Sequence, residues 1–429
     1  MSTVFGLDFG TSNSALSVNI DGKVRLLDID KDNSVSMTLK SVLYFHNEDQ
    51  ERNIYAGHEA VQNYIDTGGE GRFLQSIKSF LPDSTFERTE IYRKNYTIEE
   101  LISLILKTIK ARGEQIIGYP VNDLVLGRPV VFSEDKENDE LAERRLIEAA
   151  RMAGFQNIKL QLEPIAAALN FENSFQSNEE KKILVGDFGG GTSDFTILRI
   201  NAGNGSGHKH DRSKDVLSTG GVPVGGDTFD SEIMWEKVAK YFGKDVKVKS
   251  PMSGNWSGLS SFTMGKLRGW HLIPLLRAQK TMRYIQETKY LASGDDKLLL
   301  QNLEDLIDYN FGYLLFQSIE KSKCELSSLS ESYIAFDDYD IDINDRITKA
   351  EFEEYIKAKI EELEDCVHSV LSQAGLAHQD IDIVSLTGGS SFIPMINQLF
   401  SENFGIEKIN QSDAFTSVAH GLGVYSTMI

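Results

Sequence analysis

Ile183-Leu184-Val185-Gly186-Asp187-Phe188-Gly189-Gly190-Gly191-Thr192-Ser193-Asp194-Phe195-Thr196-Ile197-Leu198 is two apolar arms around a turn of three consecutive glycines, bracketed by carboxylates. Ile183 to Val185 reads as a buried strand and Phe195 to Leu198 as its partner. The intervening Asp187 to Asp194 is a poor core and a good anion cradle. Glycines let successive backbone N–H groups turn inward with no Cβ in the way, so that they can receive phosphate oxygens. The flanking carboxylates would repel a bare phosphate. They imply a hard cation between themselves and the anion, hydrated Mg²⁺ before any other. Taken alone, the stretch also fits a glycine-rich hairpin with no chemistry.

The element recurs. Phe5-Gly6-Leu7-Asp8-Phe9-Gly10-Thr11-Ser12-Asn13 repeats the Asp-Phe-Gly…Thr-Ser core without two of the glycines. Asp8 and Asp187 lie 187 − 8 = 179 positions apart, the spacing of a duplicated domain rather than of a short repeat. A looser third version is Ile383 to Ser391, an apolar strand running into Gly388-Gly389-Ser390. Two facing Asp-Gly hairpins could clamp one nucleotide's phosphates from both sides.

The totals set limits. A chain of 429 residues is long enough for more than one core, and 41% hydrophobic with 25% charged residues is ordinary for a globular protein. The net charge of −20 argues against a nucleic-acid or anionic-membrane partner. Cys324 and Cys366 have no metal-ligand spacing and form no framework, which suggests reduced thiols and a cytoplasmic protein. The chain opens directly into a strand at Val4, with no leader expected, and no apolar run reaches membrane-spanning length.

Along the chain, a meander continues from Ala15 through the Asp21-Gly22 turn to Ile29, unlike a P-loop, whose glycine turn feeds a helix; GxxxxGK[ST] is absent. Thr97 and Glu100 frame a capping box for a helix to about Lys110. Asp123 to Pro129 reads as a strand, Lys136 to Gly154 as a helix, and Ile165 to Phe171 as a helix after Glu163-Pro164. Gly225-Gly226-Asp227 is a further glycine turn, expected to lead into a helix from Ser231 to Phe242. Helical periodicity covers Lys266 to Ala292, Lys297 to Leu326 and Lys349 to Ala374, and a last helix is expected from Asp413 to the end. His208 and His210 sit in a polar loop and read as solvated rather than metal-bound. Asp340, Asp342, Asn344 and Glu351 mimic a calcium loop, but Asp345 stands where that loop needs glycine. Alternation with Ile341 and Ile343 indicates a strand instead, and Thr348 with Glu351 a helix cap. The fold class is α/β with mixed sheets.

With the paired hairpins in hand, the chain resembles the actin-like ATPase (ribonuclease H-like) fold, and within it the nucleotide-binding domain of DnaK-type heat-shock chaperones. FLQSIKSFL, residues 73–81, resembles the segment whose lysine, here Lys78, sits beside the γ-phosphate. Residues 123–171 resemble a connecting segment in which Pro129 is the hinge proline and Glu163 the acidic residue near the metal. IEKSKCELSS, residues 319–328, resembles the adenosine-binding helix, which puts Glu320, Lys323 and Ser327 on ribose and base. LTGGSSFIP, residues 386–394, resembles the third nucleotide loop, and TKAEFEEYI, residues 348–356, is also family-like. The resemblance spans nearly the whole chain in order. It departs at Cys324, where the family has an arginine, at the long stretch between Asp230 and Ile319, and at residues 412–422. The chain ends at Ile429 with neither the apolar linker nor the peptide-binding β domain, as in the short YegD-like branch.

The resemblance implies a duplicated two-lobe fold with a nucleotide cleft: lobe I at residues 1–182 with the terminal helix 406–429 packing back on it, and lobe II at 183–405 with an enlarged helical subdomain at about 228–318. It implies ATP/ADP and Mg²⁺ as ligands and hydrolysis of ATP, with client or co-chaperone proteins as partners. Asp8 and Asp187 would hold Mg²⁺ through water and position the attacking water; Lys78 would stabilise the γ-phosphate, with Glu163, Thr192 and Asp194 around the metal and water. Gly10, Thr11, Ser12, Asn13, Gly189, Gly190 and Gly191 would cradle the phosphates. Gly225, Gly226, Asp227, Gly388, Gly389 and Ser390 complete the nucleotide set. A small-molecule kinase of this fold would need a general base and substrate cleft with no signature visible here; a filament-forming ATPase is mildly opposed by the −20 charge.

Overall fold

Apolar and glycine-bounded runs become two large sheets, beside four smaller ones, in the computed structural model, which describes residues 3–33, 35–48, 51–172, 179–201, 212–249, 254–411 and 416–428. His208, His210, Pro251 and residues 412–415 lie outside the described residues. The first sheet runs in the order Asn157–Leu162, Asp123–Arg128, Thr3–Phe9, Asn13–Ile20, Lys23–Leu26, with Thr38–Lys40 also pairing with Asn13–Ile20. The second runs Ile409–Asn410, Ile383–Thr387, Glu180–Phe188, Ser193–Asn201, Val216–Val222. Strand for strand the plan is the same. In each, a glycine hairpin pairs antiparallel with its return strand, a third strand extends the meander, and two parallel strands close the other side. The 179-residue spacing therefore corresponds to a repeated sheet, with Asp8 opposite Ala15 in one copy and Asp187 opposite Asp194 in the other.

Contacts divide the chain into two compact units, residues 1–223 with 363–391 and 397–429, and residues 224–362 with 392–396. Both sheets belong to the first unit. Helices Glu163–Glu172 and Ser417–Ser426 hold them together through an apolar cluster. It contains Ile165 to Ala168 and Leu422 from the helices, Val125 from one sheet, and Ile183, Val185, Leu198 and Ile200 from the other. Ser17 Oγ donates to the Ala419 carbonyl at 2.6 Å and Asn19 Nδ2 to Ser426 Oγ at 2.9 Å, fixing the terminal helix on the first sheet. The approach is close because the helix carries Gly421 and Gly423. A methyl group at Gly421 would overlap the backbone carbonyl of Ala166.

Local signals translate directly. Thr97 and Glu100 exchange both bonds of the capping box ahead of Ile98–Ile117. Thr348 and Glu351 do the same before Lys349–Ala374, and Ile341–Thr348 is a strand paired with Glu331–Asp338. Other expectations need correction. The helix expected at Ser231 starts at Gly226, because Gly225 is extended and the Thr228 hydroxyl accepts its N–H; it passes through a wide turn at Met234–Val238. Periodicity over Lys266 to Ala292 conceals a break. Extended Gly269 and Pro274, which lacks an N–H, give 3₁₀ turns at Lys266–Arg268 and Trp270–Arg277 before the helix Gln279–Leu291. Lys297 to Leu326 is two helices, Asp295–Asp308 and Gly312–Leu326, parted where Asn310 takes φ 59°.

Gly421→Ala meets immovable backbone and is expected to cost at least about 2–3 kcal/mol in urea unfolding. Gly22→Ala, at φ 83° with open space around it, is expected to cost about 1 kcal/mol. Equal costs at the two sites would refute the close-approach argument.

Candidate functional site

Sheet geometry delivers the carboxylates. Asp8 and Asp187 occupy equivalent places near the ends of the first strands of the two hairpins, and Glu163 opens the helix that joins the sheets. Lys78 lies in a short helical turn, Ile77–Phe80, entered through Ser76 at φ 53° and anchored by buried Ile77. Its ammonium meets Glu163 Oε1 at 2.9 Å, the two side chains being 12% and 13% exposed.

These groups share one electrostatic neighbourhood. Burial first, then the negative charges of Glu163 and Asp187, push the Asp8 carboxyl up to about 8 against the opposing pull of Lys78. Asp187 is raised by burial and Glu163, against a hydrogen bond from Thr387 Oγ1 at 3.0 Å. Desolvation, then Asp187 and Glu163, push Asp194 up to about 6, although its side chain reaches solvent at the rim and accepts from Thr192 Oγ1 at 3.2 Å. Burial alone would lower the Lys78 ammonium, but Glu163 and Asp8 outweigh it and hold it raised. Four carboxylates thus face one ammonium, so the cluster carries excess negative charge in a poorly solvated place.

The turns around it are built for backbone access. Gly189 N–H donates to the Thr192 carbonyl at 2.9 Å, closing the loop that carries Gly190 and Gly191. Gly10, Thr11 and Ser12 form the matching turn before Asn13, and the Ser12 carbonyl accepts from Ser41 N–H at 2.8 Å. The third loop lies against the second hairpin, since Gly388 has φ 84° and a Cβ there would overlap the Phe188 backbone. Beyond it Gly389 and Ser390 start a 3₁₀ turn, with Ser390 buried.

The remaining candidates belong to the second unit. Lys323 Nζ donates to the Gly226 carbonyl at 3.1 Å and to Asp230 at 2.9 Å, so the helix with Glu320 and Lys323 is tied to the turn Gly225-Gly226-Asp227. Burial pushes Asp230 up to about 7 despite Lys323, and Glu320 adds to the rise. Ser327 caps the end of the same helix, and Cys324 beside Lys323 is exposed. Thr387 and Asp230 are absent from the residues picked out by sequence. Each adjoins or follows a glycine pair already singled out, and that proximity was the available signal.

The donor set suits a hydrated hard cation: carboxylates with neither His nor Cys, in charge excess over the one lysine. Among the described residues no group of three or more His, Cys, Asp or Glu side chains is placed to hold a metal directly, and no helix is long and apolar enough to cross a membrane.

A family model described as Hsp70 protein matches residues 4–254 and 310–428. Both hairpins, Lys78, Glu163, the third loop and the helix bearing Glu320 and Lys323 fall within the matched stretches; the helices Gln279–Leu291 and Asp295–Asp308 fall between them. Hsp70 proteins are chaperone-type ATPases that have the actin-like two-lobe fold and bind ATP or ADP with Mg²⁺. With a match over most of its length and in register with the duplicated sheets, the chain belongs to the Hsp70 family.

Proposed function

We propose that this protein binds ATP with Mg²⁺ and hydrolyses it to ADP and phosphate, and that ATP binding and hydrolysis drive a conformational switch of chaperone type. The supporting observation is the charge imbalance: Asp8, Asp187, Glu163 and Asp194 against Lys78 alone, beside glycine turns suited to phosphate. Asp8 and Asp187 hold the cation through water, and Glu163 and Asp194 stand around it. When bound, Mg²⁺ supplies charge neutralisation for the phosphates. Phosphoryl transfer asks mostly for placement and electrostatics. Backbone amides of Gly10 to Asn13 and Gly189 to Gly191, with the Thr11, Ser12 and Thr192 hydroxyls, hold the phosphate oxygens. Lys78, directed by Glu163, meets charge developing on the γ-phosphate, and the Asp8 and Asp187 carboxylates orient the attacking water. By the family resemblance, Glu320, Lys323 and Ser327, with Gly225 to Asp227, are assigned to the ribose and base, and Gly388 to Ser390 to the nucleotide. Lobes divided at 1–182 and 183–405, with a cleft between them, would close on ATP and relax on ADP, each ligand favouring one state. The cytoplasm, with protein clients or co-chaperones, is the proposed setting.

Lys78→Ala and Asp187→Ala are each expected to lower phosphate release at least about a hundredfold while leaving the fold intact, by analogy with the loss of one transition-state donor. Wild-type turnover in either variant would contradict the roles assigned. A pH dependence is expected as well. Asp8 keeps its proton in the folded protein to about pH 8, whereas the unfolded chain loses it near pH 4. The folded state therefore binds more protons through that window, and the stability of the nucleotide-free, Mg²⁺-free protein falls as pH rises from 6 to 8, by up to about 1.4 kcal/mol per pH unit. Thermal unfolding across that range checks the sign, and Asp8→Asn should flatten the slope. A midpoint that climbs with pH would show Asp8 to be ionised already.

A further inference from the structure

The turn that carries Lys78 is continued by a segment whose carbonyls are held from elsewhere in the chain. Downstream of the ammonium the chain makes a compact loop, residues 80–86, whose carbonyls point inward at one guanidinium. Arg145, on the helix Lys136–Met152, donates through Nη1 to the Leu81 and Asp83 carbonyls at 2.9 Å each and to the Phe80 carbonyl at 3.4 Å, and through Nη2 to the Phe86 carbonyl at 2.8 Å. Its Nε faces Glu99 Oε1 at 3.5 Å, and its side chain is 11% exposed. Glu99 sits in the first turn of the helix Ile98–Ile117, so the guanidinium is braced from behind by a second element.

Four carbonyl oxygens converging on one point repel one another unless a cation with several divergent donors lies between them. Only arginine has a planar fork wide enough to reach separate acceptors at once; a lysine ammonium is a single point. Leu81 is buried in the core and Phe86 packs against it, which fixes the loop's apolar side chains. The loop's other bonds stay inside it: Asp83 N–H to the Phe80 carbonyl at 3.2 Å, Phe86 N–H to the Asp83 carbonyl at 3.1 Å, and Asp83 Oδ1 accepting from Thr85 N–H and hydroxyl. Leu81 N–H donates to the Lys78 carbonyl at 3.1 Å, so a residue near the start of the clamped segment also closes the turn that presents Lys78.

We propose that Arg145 is a positioning residue: by gathering the 80–86 carbonyls it sets the backbone of residue 78, and so where the Lys78 ammonium stands. Its hydrogen bonds go to the loop carbonyls, with Glu99 beside its Nε. The inference rests on the reading of Lys78 as the group that meets the γ-phosphate, and it adds a determinant 67 positions further along the chain, 145 − 78 = 67.

The test compares Arg145→Lys and Arg145→Gln with the wild type and with Lys78→Ala, in the full chain, by phosphate release and by ADP calorimetry. Both Arg145 variants should lose at least about tenfold in kcat, a displacement of about 1 Å being enough for that and more. ADP affinity should stay within about twofold, because the phosphate cradle is untouched. Lysine should not rescue, since it keeps the charge but not the fork. The deciding measurement is the double variant: Lys78→Ala with Arg145→Gln should be no slower than Lys78→Ala alone, whereas a general loss of fold would slow it further. Amide hydrogen exchange over residues 77–86 should quicken in Arg145→Lys, which also serves if Arg145→Gln fails to fold. Full turnover or unchanged exchange in Arg145→Lys, or a double variant slower than Lys78→Ala, overturns the clamp. A wild type that releases no phosphate overturns the ATPase reading instead, and Arg145 then has no reaction to position for.

Discussion

Too many carboxylates share one poorly solvated corner. Asp8 and Asp187 arrive there because two copies of one hairpin end side by side, and Glu163 because the helix that cements the two sheets begins at that point. Their mutual repulsion cannot be relieved by moving apart, since each is fixed by strand pairing or by a helix start. The relief available within the chain is partial: Lys78 pairs with Glu163, Thr387 bonds Asp187, and Asp8 retains a proton. A site that stays short of positive charge after folding is one that a cation would complete, as the proposed Mg²⁺–nucleotide binding requires.

That corner can exist only because the surrounding scaffold is over-determined. The apolar cluster between the sheets uses small side chains, Ala166 to Ala168, where the terminal helix crosses; Gly421 lets its backbone settle on the helix Glu163–Glu172 and Gly423 on the strands of the first sheet. Close-packed small residues resist sliding in a way that larger, rotamer-rich ones do not, so the two hairpins keep their relation without any direct bond between the aspartates.

What the sequence made legible divides by range. The capping boxes at Thr97 and Thr348, the strand at Ile341 and the glycine hairpins all depend on residues a few positions apart, and each could be read from type and spacing. The duplication was readable because both copies keep the Asp-Phe-Gly signature. The broken helices were not: Gly269, Pro274 and Asn310 interrupt apolar patterns whose period continues across the break, and periodicity does not register a dihedral angle. Lys78 and Glu163 were each suspected through resemblance, but their pairing across 85 positions is a product of topology. Arg145 left no signal, because four of its partners are carbonyl oxygens, which every residue has, and the fifth, Glu99, lies 46 positions away (145 − 99 = 46).

The two lysines singled out by resemblance have the same physical setting. Lys78 is held by Glu163 in the first unit, and Lys323 by Asp230 and the Gly226 carbonyl in the second. In both, a flexible four-carbon side chain has been immobilised during folding, with the ammonium kept charged by its neighbours against the burial that would neutralise it. Lysine loses about 2 kcal/mol of rotamer entropy when ordered. Where that loss falls on folding, it does not fall again on binding or in a transition state, and the charge is already oriented when an anion arrives. A buried pair of this kind adds little net stability by itself, because desolvation offsets most of the attraction. Its presence in both units is better explained by pre-organisation than by stabilisation, and a pre-organised cation is what the proposed phosphoryl transfer would require.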